Sequence, residues 1–259
     1  MINELIIKIK NGNLGKYLTW KLKEFLKNPI SETKLNYYKF KLKNSSNDAT
    51  EYLEFKYKVL KTKKSDIYEH LETLSVYAEK SRTIFETGVR GVVSSWAFLY
   101  GLNKSNQSSK KLFLNDINEC NISEINEIAE KMNIQLSFEW KDNLDLQISE
   151  KFDLVFIDTW HVYGQLKREL IKFSPIALKY IILHDTTLDG ELGESIRFNM
   201  DTKQQSIDTG FPIEEIEKGL WPAVEEFLEN NNEWILKRRF TNCNGLTILE
   251  KTNPQINNI

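Results

Sequence analysis

Short apolar segments alternate with amphipathic ones between residues 82 and 186, and this alternation limits the fold more than any other feature. The segment FDLVFID is apolar almost throughout, which is typical of a parallel strand buried on both faces. Helical patterns separate it from similar segments, as in βαβ units. The five predicted strands are RTIFETG, KKLFLNDI, IQLSFEW, FDLVFID and KYIILHD. The sequence therefore predicts an α/β fold with a doubly wound, mostly parallel sheet.

The C-terminal part adds a helix and two further strands. GLWPAVEEFLENN places Pro222 in the first turn of a helix. EWILKRRF and LTILEK are joined by TNCNG, in which Gly245 suits a left-handed residue of a hairpin connection. The prediction becomes a seven-stranded sheet that ends in an antiparallel hairpin.

Two regions interrupt this pattern and set the predicted domain boundaries. Residues 1–63 are rich in lysine and read as a partly helical N-terminal extension with a loop near 43–49. Residues 64–259 form the main domain. Within it, the polar segment 188–219 loses the regular period, and an insertion of this length is usually functional or disordered.

Composition narrows the class of partner. A net charge of −2 argues against a dedicated nucleic-acid binder, and two cysteines without a CxxC pair favour a reducing cytoplasm. No apolar run is long enough to span a membrane, and the first 20 residues lack a signal-peptide pattern. Their amphipathic spacing suits a helix on a membrane or, more simply, on the chain's own domain or a second subunit. A homo-oligomer through the N-terminal extension is thus one expectation.

Acidic residues mark the ends of the predicted strands. They are Glu86, Asp116, Asp142, Asp158 and Asp185. In doubly wound sheets, ligands bind at the carboxyl ends of the strands. A ligand site at this edge explains the five positions together better than five unrelated strand ends do.

The first strand leads into a glycine-containing turn, FETGVRGVVSS. Gly88 and Gly91 permit a sharp turn and close approach to a ligand, although Arg90 stands where a dinucleotide loop has its second glycine. Glu86 suits an ammonium group better than a pyrophosphate. A tight structural turn is the alternative interpretation.

Asp116 and Asp142 follow the second and third strands. A carboxylate at the end of the second strand can accept both hydroxyls of an adenosine ribose. Asp142 could contact an adenine edge, with Trp140 packed nearby. For both aspartates, an exposed strand end without a ligand is the alternative.

These motifs resemble class I S-adenosylmethionine-dependent methyltransferases, in particular the small-molecule O-methyltransferases of the catechol and macrolide-sugar type. The resemblance covers about residues 64–251. It implies that Glu86 and Gly88 flank the methionine part of the cofactor, with Arg90 in the same loop. It also maps Ser94 to the serine that opens the next helix and Asp116 to the ribose-binding acid. Val92 departs from the family, where a glycine is common.

The same resemblance implies a metal and a base. Catechol-type relatives hold Mg²⁺ with an aspartate after the fourth strand and an Asp-Asn pair after the fifth. The matching residues are Asp158, Asp185 and Thr186, so Mg²⁺ or another divalent cation is an expected cofactor besides S-adenosylmethionine. His161 takes the place of the general base, next to Asp158, which also belongs to the predicted cofactor site.

The acceptor side is less defined by the sequence. Trp160 could form a wall of the cofactor or acceptor site. His184 could be a ligand, an acceptor contact or a core histidine, and the last two are favoured equally. Arg197, in the insertion, suits a phosphorylated or nucleotide-linked acceptor, while a solvated loop charge is the commoner explanation.

The resemblance implies methyl transfer to a hydroxyl of a small molecule, and a sugar or phosphorylated component of a surface polysaccharide is the preferred acceptor. Two alternatives remain at this point. One is a non-catalytic module that uses the fold for assembly, which Val92 and Thr186 favour. The other is a metal-dependent hydroxylase on the same fold.

Overall fold

The computed structural model describes residues 47–252 of the chain. The chain divides into two compact units, residues 1–59 and 60–259. Of the first unit, residues 47–59 are described, and they belong to helix α1 (Asn47–Thr62). Helix α1 begins inside the segment 43–49 that was expected to be a loop. The predicted amphipathic segment and the oligomer contact of the N-terminal extension lie mainly at residues 1–46, outside the described part.

The second unit contains a seven-stranded mixed sheet. Its strands are β1 (Thr83–Thr87), β2 (Lys111–Asp116), β3 (Gln135–Trp140), β4 (Phe152–Ile157), β5 (Ala177–His184), β6 (Trp234–Phe240) and β7 (Leu246–Lys251). Their order in the sheet is β3-β2-β1-β4-β5-β7-β6. Strands β1 to β5 are parallel, and β7 runs antiparallel between β5 and β6. The predicted doubly wound sheet with a C-terminal antiparallel hairpin is confirmed.

Helices connect the strands and cover the sheet. They are α2 (Leu71–Glu79), α3 (Val93–Lys104), α4 (Ser123–Lys131), α5 (Tyr163–Phe173), α6 (Glu194–Arg197), α7 (Thr202–Thr209), α8 (Ile213–Glu217) and α9 (Trp221–Asn230). Two 3₁₀ turns, Tyr68–His70 and Asn143–Asp145, precede α2 and follow β3. The segment 188–219 is thus ordered into three short helices. None of the helices in the described range is long and apolar enough to cross a membrane.

Strand β4 shows why the sheet needs helices on both faces. All six of its residues are buried, as its uninterrupted apolar run predicts. Val155 lies in the cluster that also contains Leu166 of α5 and Val224 of α9. The neighbouring Phe156 faces the other way and packs edge-on against Phe98 of α3, with ring centroids 5.2 Å apart. The alternating direction of strand side chains therefore fills both layers.

Gly101 lies within helix α3, which continues past it to Lys104. A Cβ at Gly101 would lie 2.2 Å from the carbonyl oxygen of Ser75 and 2.5 Å from Cβ of Ala78, both on α2. The glycine therefore permits close contact of two helices and does not end one.

Candidate functional site

The turn after β1 has a left-handed backbone at three residues, two of which are not glycine. Gly88, Arg90 and Val92 have φ of +88°, +41° and +62°. A β-branched residue in this region is an outlier, and such strain persists only where the surroundings impose it. At Gly88 the cause is visible, since a Cβ there would lie 1.8 Å from the carbonyl oxygen of Asp158. The turn is therefore pressed against the end of β4.

Asp116, at the end of β2, holds this turn in place. Its Oδ2 accepts hydrogen bonds from the backbone N–H groups of Val89 (2.9 Å) and Arg90 (2.8 Å). Its Oδ1 accepts from the N–H of Asn118 at 2.8 Å. A carboxylate offers about four acceptor positions, so roughly one remains for a further donor. The residue predicted to bind ribose is thus also the anchor of the turn.

Glu86 is the acidic residue of the first strand, β1. Its side chain is fully buried, and its Oε1 accepts a hydrogen bond from Ser94 Oγ at the start of α3. Its Oε2 has no hydrogen-bond partner among the described residues. Burial raises the pKa of Glu86 to about 8. An unpaired, buried carboxyl oxygen of this kind calls for an explanation, and a bound donor such as an ammonium group would supply one.

The two other predicted cofactor residues are nearer the surface. Asp142 caps the 3₁₀ turn by accepting a hydrogen bond from the N–H of Leu144 at 2.9 Å. The neighbouring Trp140 is 62% exposed. Arg90 points outward, with an exposed side chain that pairs with Asp66.

Beyond the ends of β4 and β5, two aspartates meet two histidines. His161 Nε2 is 3.2 Å from Asp158 Oδ1 and 3.3 Å from Asp185 Oδ2. His184 Nδ1 lies 3.3 Å and 2.9 Å from the same two oxygens. The two carboxylates are thus placed between two imidazoles.

The 188–219 insertion contributes two more acids to this group. Asp189 Oδ2 is 3.1 Å and Glu194 Oε2 is 3.3 Å from His161 Nδ1. Arg197 binds Asp189 in a bidentate manner, with distances of 2.6 Å and 2.8 Å. His161 therefore has carboxylates at both ring nitrogens. Arg197, predicted to contact the acceptor, is exposed but has its guanidinium paired with Asp189.

His184 is oriented by the hairpin that follows β6. Its Nε2 lies 3.3 Å from the carbonyl oxygen of Cys243, and the ring is 1% exposed. Next to it, His70 meets the His184 ring edge-on at 5.9 Å, and its own Nε2 lies 2.9 Å from the carbonyl oxygen of Asn242. Two carbonyl groups of one loop thus fix two histidines that are in edge-to-face contact.

Asp185 and Thr186 diverge after β5. Asp185 has φ of +56°, in the left-handed region, which turns its carboxylate toward the histidines. The Thr186 hydroxyl is buried and hydrogen-bonded to Thr247 Oγ1 at 2.8 Å. Of these neighbours, His184 Nδ1 lies beside both aspartates, while the hydroxyl of Thr186 is engaged with Thr247.

The charges of this group depend strongly on one another. Burial opposes the charge on His161, but hydrogen bonds to Asp158, Asp189 and Glu194 raise its pKa well above the ordinary value. Burial likewise opposes the charge on His184, but Asp158 and Asp185 raise its pKa to about 10. The same histidines hold the pKa of Asp158 well below its usual range, against the effect of burial. In this state both imidazoles carry protons, which a bound cation could replace.

A second buried acid lies beside the group and was not anticipated from the sequence. Glu169 of α5 is buried, and its Oε1 accepts hydrogen bonds from Thr159, Asn143 (2.6 Å) and Gln165 (2.9 Å). Burial raises its pKa to about 7. The sequence gives one signal, since a glutamate on the apolar face of an amphipathic helix must find partners when buried.

The insertion covers the loop that carries His161. Trp160 stacks on Phe211 of the insertion, with ring centroids 5.9 Å apart. The N–H of Glu194 donates to the carbonyl oxygen of His161 at 3.0 Å. Neither Glu194 nor Asp189 was predicted as a site residue. Neither position follows a strand, so strand-end reasoning does not reach them.

Comparisons with known proteins give structural similarity alone. No family model matches the chain, and no curated protein matches it. Among solved structures, an O-methyltransferase from Bacillus cereus in complex with SAH has 14% identity and a TM-score of 0.45, covering 71% of this chain and 81% of that chain. The O-methyltransferase TomG from Streptomyces achromogenes, in complex with SAM, has 13% identity and a TM-score of 0.48, covering 81% and 90%.

A putative caffeoyl-CoA O-methyltransferase from Staphylococcus aureus is similar at 13% identity and a TM-score of 0.47, covering 71% of this chain and 83% of that chain. The topology itself is more informative. Five parallel strands in the order 3-2-1-4-5 continue into an antiparallel pair in which β7 lies between β5 and β6. By this strand order, the chain has the class I S-adenosylmethionine-dependent methyltransferase fold.

Proposed function

We propose that the chain is an S-adenosylmethionine-dependent methyltransferase that acts on a hydroxyl group of a small molecule. The observation that carries the proposal is the row of acids at one sheet edge. Glu86, Asp116, Asp158 and Asp185 all lie at the carboxyl ends of neighbouring strands. This is the edge at which doubly wound sheets bind ligands.

The residues on the β1–β2 side fit the cofactor. Glu86 offers an unpaired, buried oxygen to the ammonium group, and Asp116 retains acceptor capacity for a ribose hydroxyl. Asp142 and the exposed Trp140 lie where the sequence places the adenine. When bound, S-adenosylmethionine supplies an already activated methyl group, so the protein must orient the acceptor and accept one proton.

The residues on the β4–β5 side fit proton removal. Asp189 lies at Nδ1 of His161, which is the orientation that leaves Nε2 as the working nitrogen. Nε2 faces Asp158 and Asp185, and within this proposal it takes the proton of the acceptor hydroxyl. A divalent cation held by these aspartates would lower the pKa of that hydroxyl and of the imidazole together.

The acceptor is proposed by its chemical class. A sugar or a phosphorylated component of a surface polysaccharide remains the preferred class, on the resemblance described above. Trp160 supplies an aromatic wall next to His161, as sugar rings favour. Arg197 would serve this acceptor through Asp189, which it binds, and not as a free anion-binding group.

Calorimetry with S-adenosylmethionine tests the proposal directly. We expect one binding site per chain and weaker binding by the Glu86→Gln variant, because glutamine cannot neutralise the cofactor's ammonium group. SAH, which lacks the transferable methyl group, serves as a second ligand for the same site. A folded protein that binds neither compound would contradict the proposal and favour the assembly module.

A further inference from the structure

We infer that Asp158, His184 and Asp185 form a mixed nitrogen–oxygen site for a divalent transition metal, in place of an all-oxygen Mg²⁺ site that includes Thr186. This names the class of cation that the proposed enzyme would use. It rests on the proposed function only for the role of that cation in catalysis. The metal site itself is argued from the geometry of these three residues.

The three donor atoms are spaced as ligands of one ion. His184 Nδ1 is 2.9 Å from Asp185 Oδ2 and 3.3 Å from Asp158 Oδ1, and the ligand atoms of all three residues lie within 4.8 Å of one another. Two donors that bind one metal at about 2.1 Å and a right angle are roughly 3 Å apart. The existing spacing therefore needs little rearrangement to admit an ion.

The Nε2 atom of His184, which points away from the aspartates, has the kind of hydrogen-bond partner that metal-ligating histidines have. These usually donate their second N–H to a carbonyl or carboxylate, which fixes the ring and its tautomer. His184 Nε2 faces the carbonyl oxygen of Cys243 at 3.3 Å, so its N–H would stay on Nε2 when a metal ion displaces the proton of Nδ1. The Nδ1 lone pair would then be directed at the ion between the aspartates. The ring is buried and packed against His70, which prevents it from turning away.

The nature of the donors decides which metal is preferred. The Thr186 hydroxyl is buried and already hydrogen-bonded to Thr247, whereas His184 Nδ1 lies directly beside both carboxylates. With one imidazole among the three protein ligands, the site favours borderline transition metals over Mg²⁺, which prefers oxygen and retains its water. His161 Nε2, on the other side of the two carboxylates, stays available for the proton.

A second group of possible ligands lies next to the first but does not suit a cation. His161, Asp189 and Glu194 also offer atoms within 4.8 Å of one another. However, Arg197 already binds both oxygens of Asp189, and its guanidinium would repel an ion placed there. We therefore expect one metal per chain at the described sites.

Cobalt binding to the full-length, metal-free protein tests the inference. We expect one Co²⁺ per chain, bound more tightly than Mg²⁺ in a competition titration, with visible absorption bands that report nitrogen ligation. Loss of a partner of a ligand commonly weakens metal binding about 10- to 100-fold. His184→Gln, which removes the imidazole nitrogen, and Asp185→Ala, which removes a carboxylate, should weaken Co²⁺ binding by at least that factor.

One matched variant separates metal ligation from folding. Thr186→Val alters a buried neighbour of the site but removes no proposed ligand, so it should still bind one Co²⁺ with affinity near that of the wild type. The inference is overturned if the wild type binds no Co²⁺, if Mg²⁺ competes equally, or if folded His184→Gln binds Co²⁺ as the wild type does. No cofactor or acceptor is present, so these results are independent of S-adenosylmethionine binding.

Discussion

The two halves of the sheet edge use the same residue types in opposite ways. At the ends of β2 and β3, aspartates accept hydrogen bonds from backbone N–H groups, as Asp116 does three times and Asp142 once. At the ends of β4 and β5, Asp158 and Asp185 face imidazoles. We call these the cofactor half and the chemistry half.

The two halves differ in how the charges of their carboxylates are balanced. In the cofactor half, fixed backbone dipoles balance the charges of the two aspartates, so the turn is already shaped before a ligand arrives. In the chemistry half, four carboxylates surround His161 and His184, and one fixed cation, Arg197, pairs with Asp189. The remaining balance depends on protons or a metal ion, which is the basis of a reactive site.

The largest expected effect is on the chemistry half. His161→Ala should lower kcat by about 100- to 10,000-fold, because it removes the proposed base. The affinity for S-adenosylmethionine should stay nearly unchanged, because the cofactor residues lie in the other half. Steady-state kinetics and calorimetry on the same protein would check both. Turnover that survives the change would show that His161 is not the base.

A smaller effect should distinguish two aspartates of the cofactor half. Asp116→Asn should lower the free energy of unfolding by about 3 kcal/mol, since three N–H groups lose a charged acceptor. Asp142→Asn should change the stability little, because asparagine caps a helical turn about as well as aspartate does. Urea unfolding measures both. Equal losses would mean that Asp116 does not anchor the turn.

The last expected effect concerns the change of stability with each pH unit. Burial raises the pKa of Glu86 from 4.5 to about 8, so between these values the folded state holds a proton that the unfolded state has lost. Stability should therefore be greatest below pH 4.5 as far as Glu86 is concerned, and fall by up to about 1.4 kcal/mol per pH unit toward pH 8.

Glu86→Gln should make this fall shallower, because glutamine does not titrate. Glu169, whose pKa is raised to about 7 in the same way, should account for part of the slope that remains. Unfolding of both proteins between pH 5 and 8 gives the comparison. Parallel curves would show that Glu86 ionises in the folded state as it does in the unfolded chain.

Much of the cofactor half could be read from the sequence. Its residues follow strands, and strands are visible from their apolar runs, so Glu86 and Asp116 could be placed at one edge without a structure. Gly88 was predicted to permit close approach of the backbone, and in the structure a Cβ there would lie 1.8 Å from the carbonyl oxygen of Asp158.

The chemistry half was predicted less completely. Asp158, His161 and Asp185 were found as strand-end residues, and the structure brings them together. Asp189 was not singled out, because its partner is 28 residues away and no period connects them. Whether Thr186 or His184 faces the aspartates could not be decided, since adjacent residues at a strand end point in different directions.

The sequence by itself determined the order and type of the elements, the sheet class and the row of acids, because these depend on local periodicity and on the ends of strands. Only the tertiary structure decided which charged side chains lie next to one another. The hairpin loop directs His184 through the carbonyl of Cys243, and the insertion brings Asp189 and Glu194 to His161. Such contacts depend on packing between segments distant in sequence, which no local pattern records.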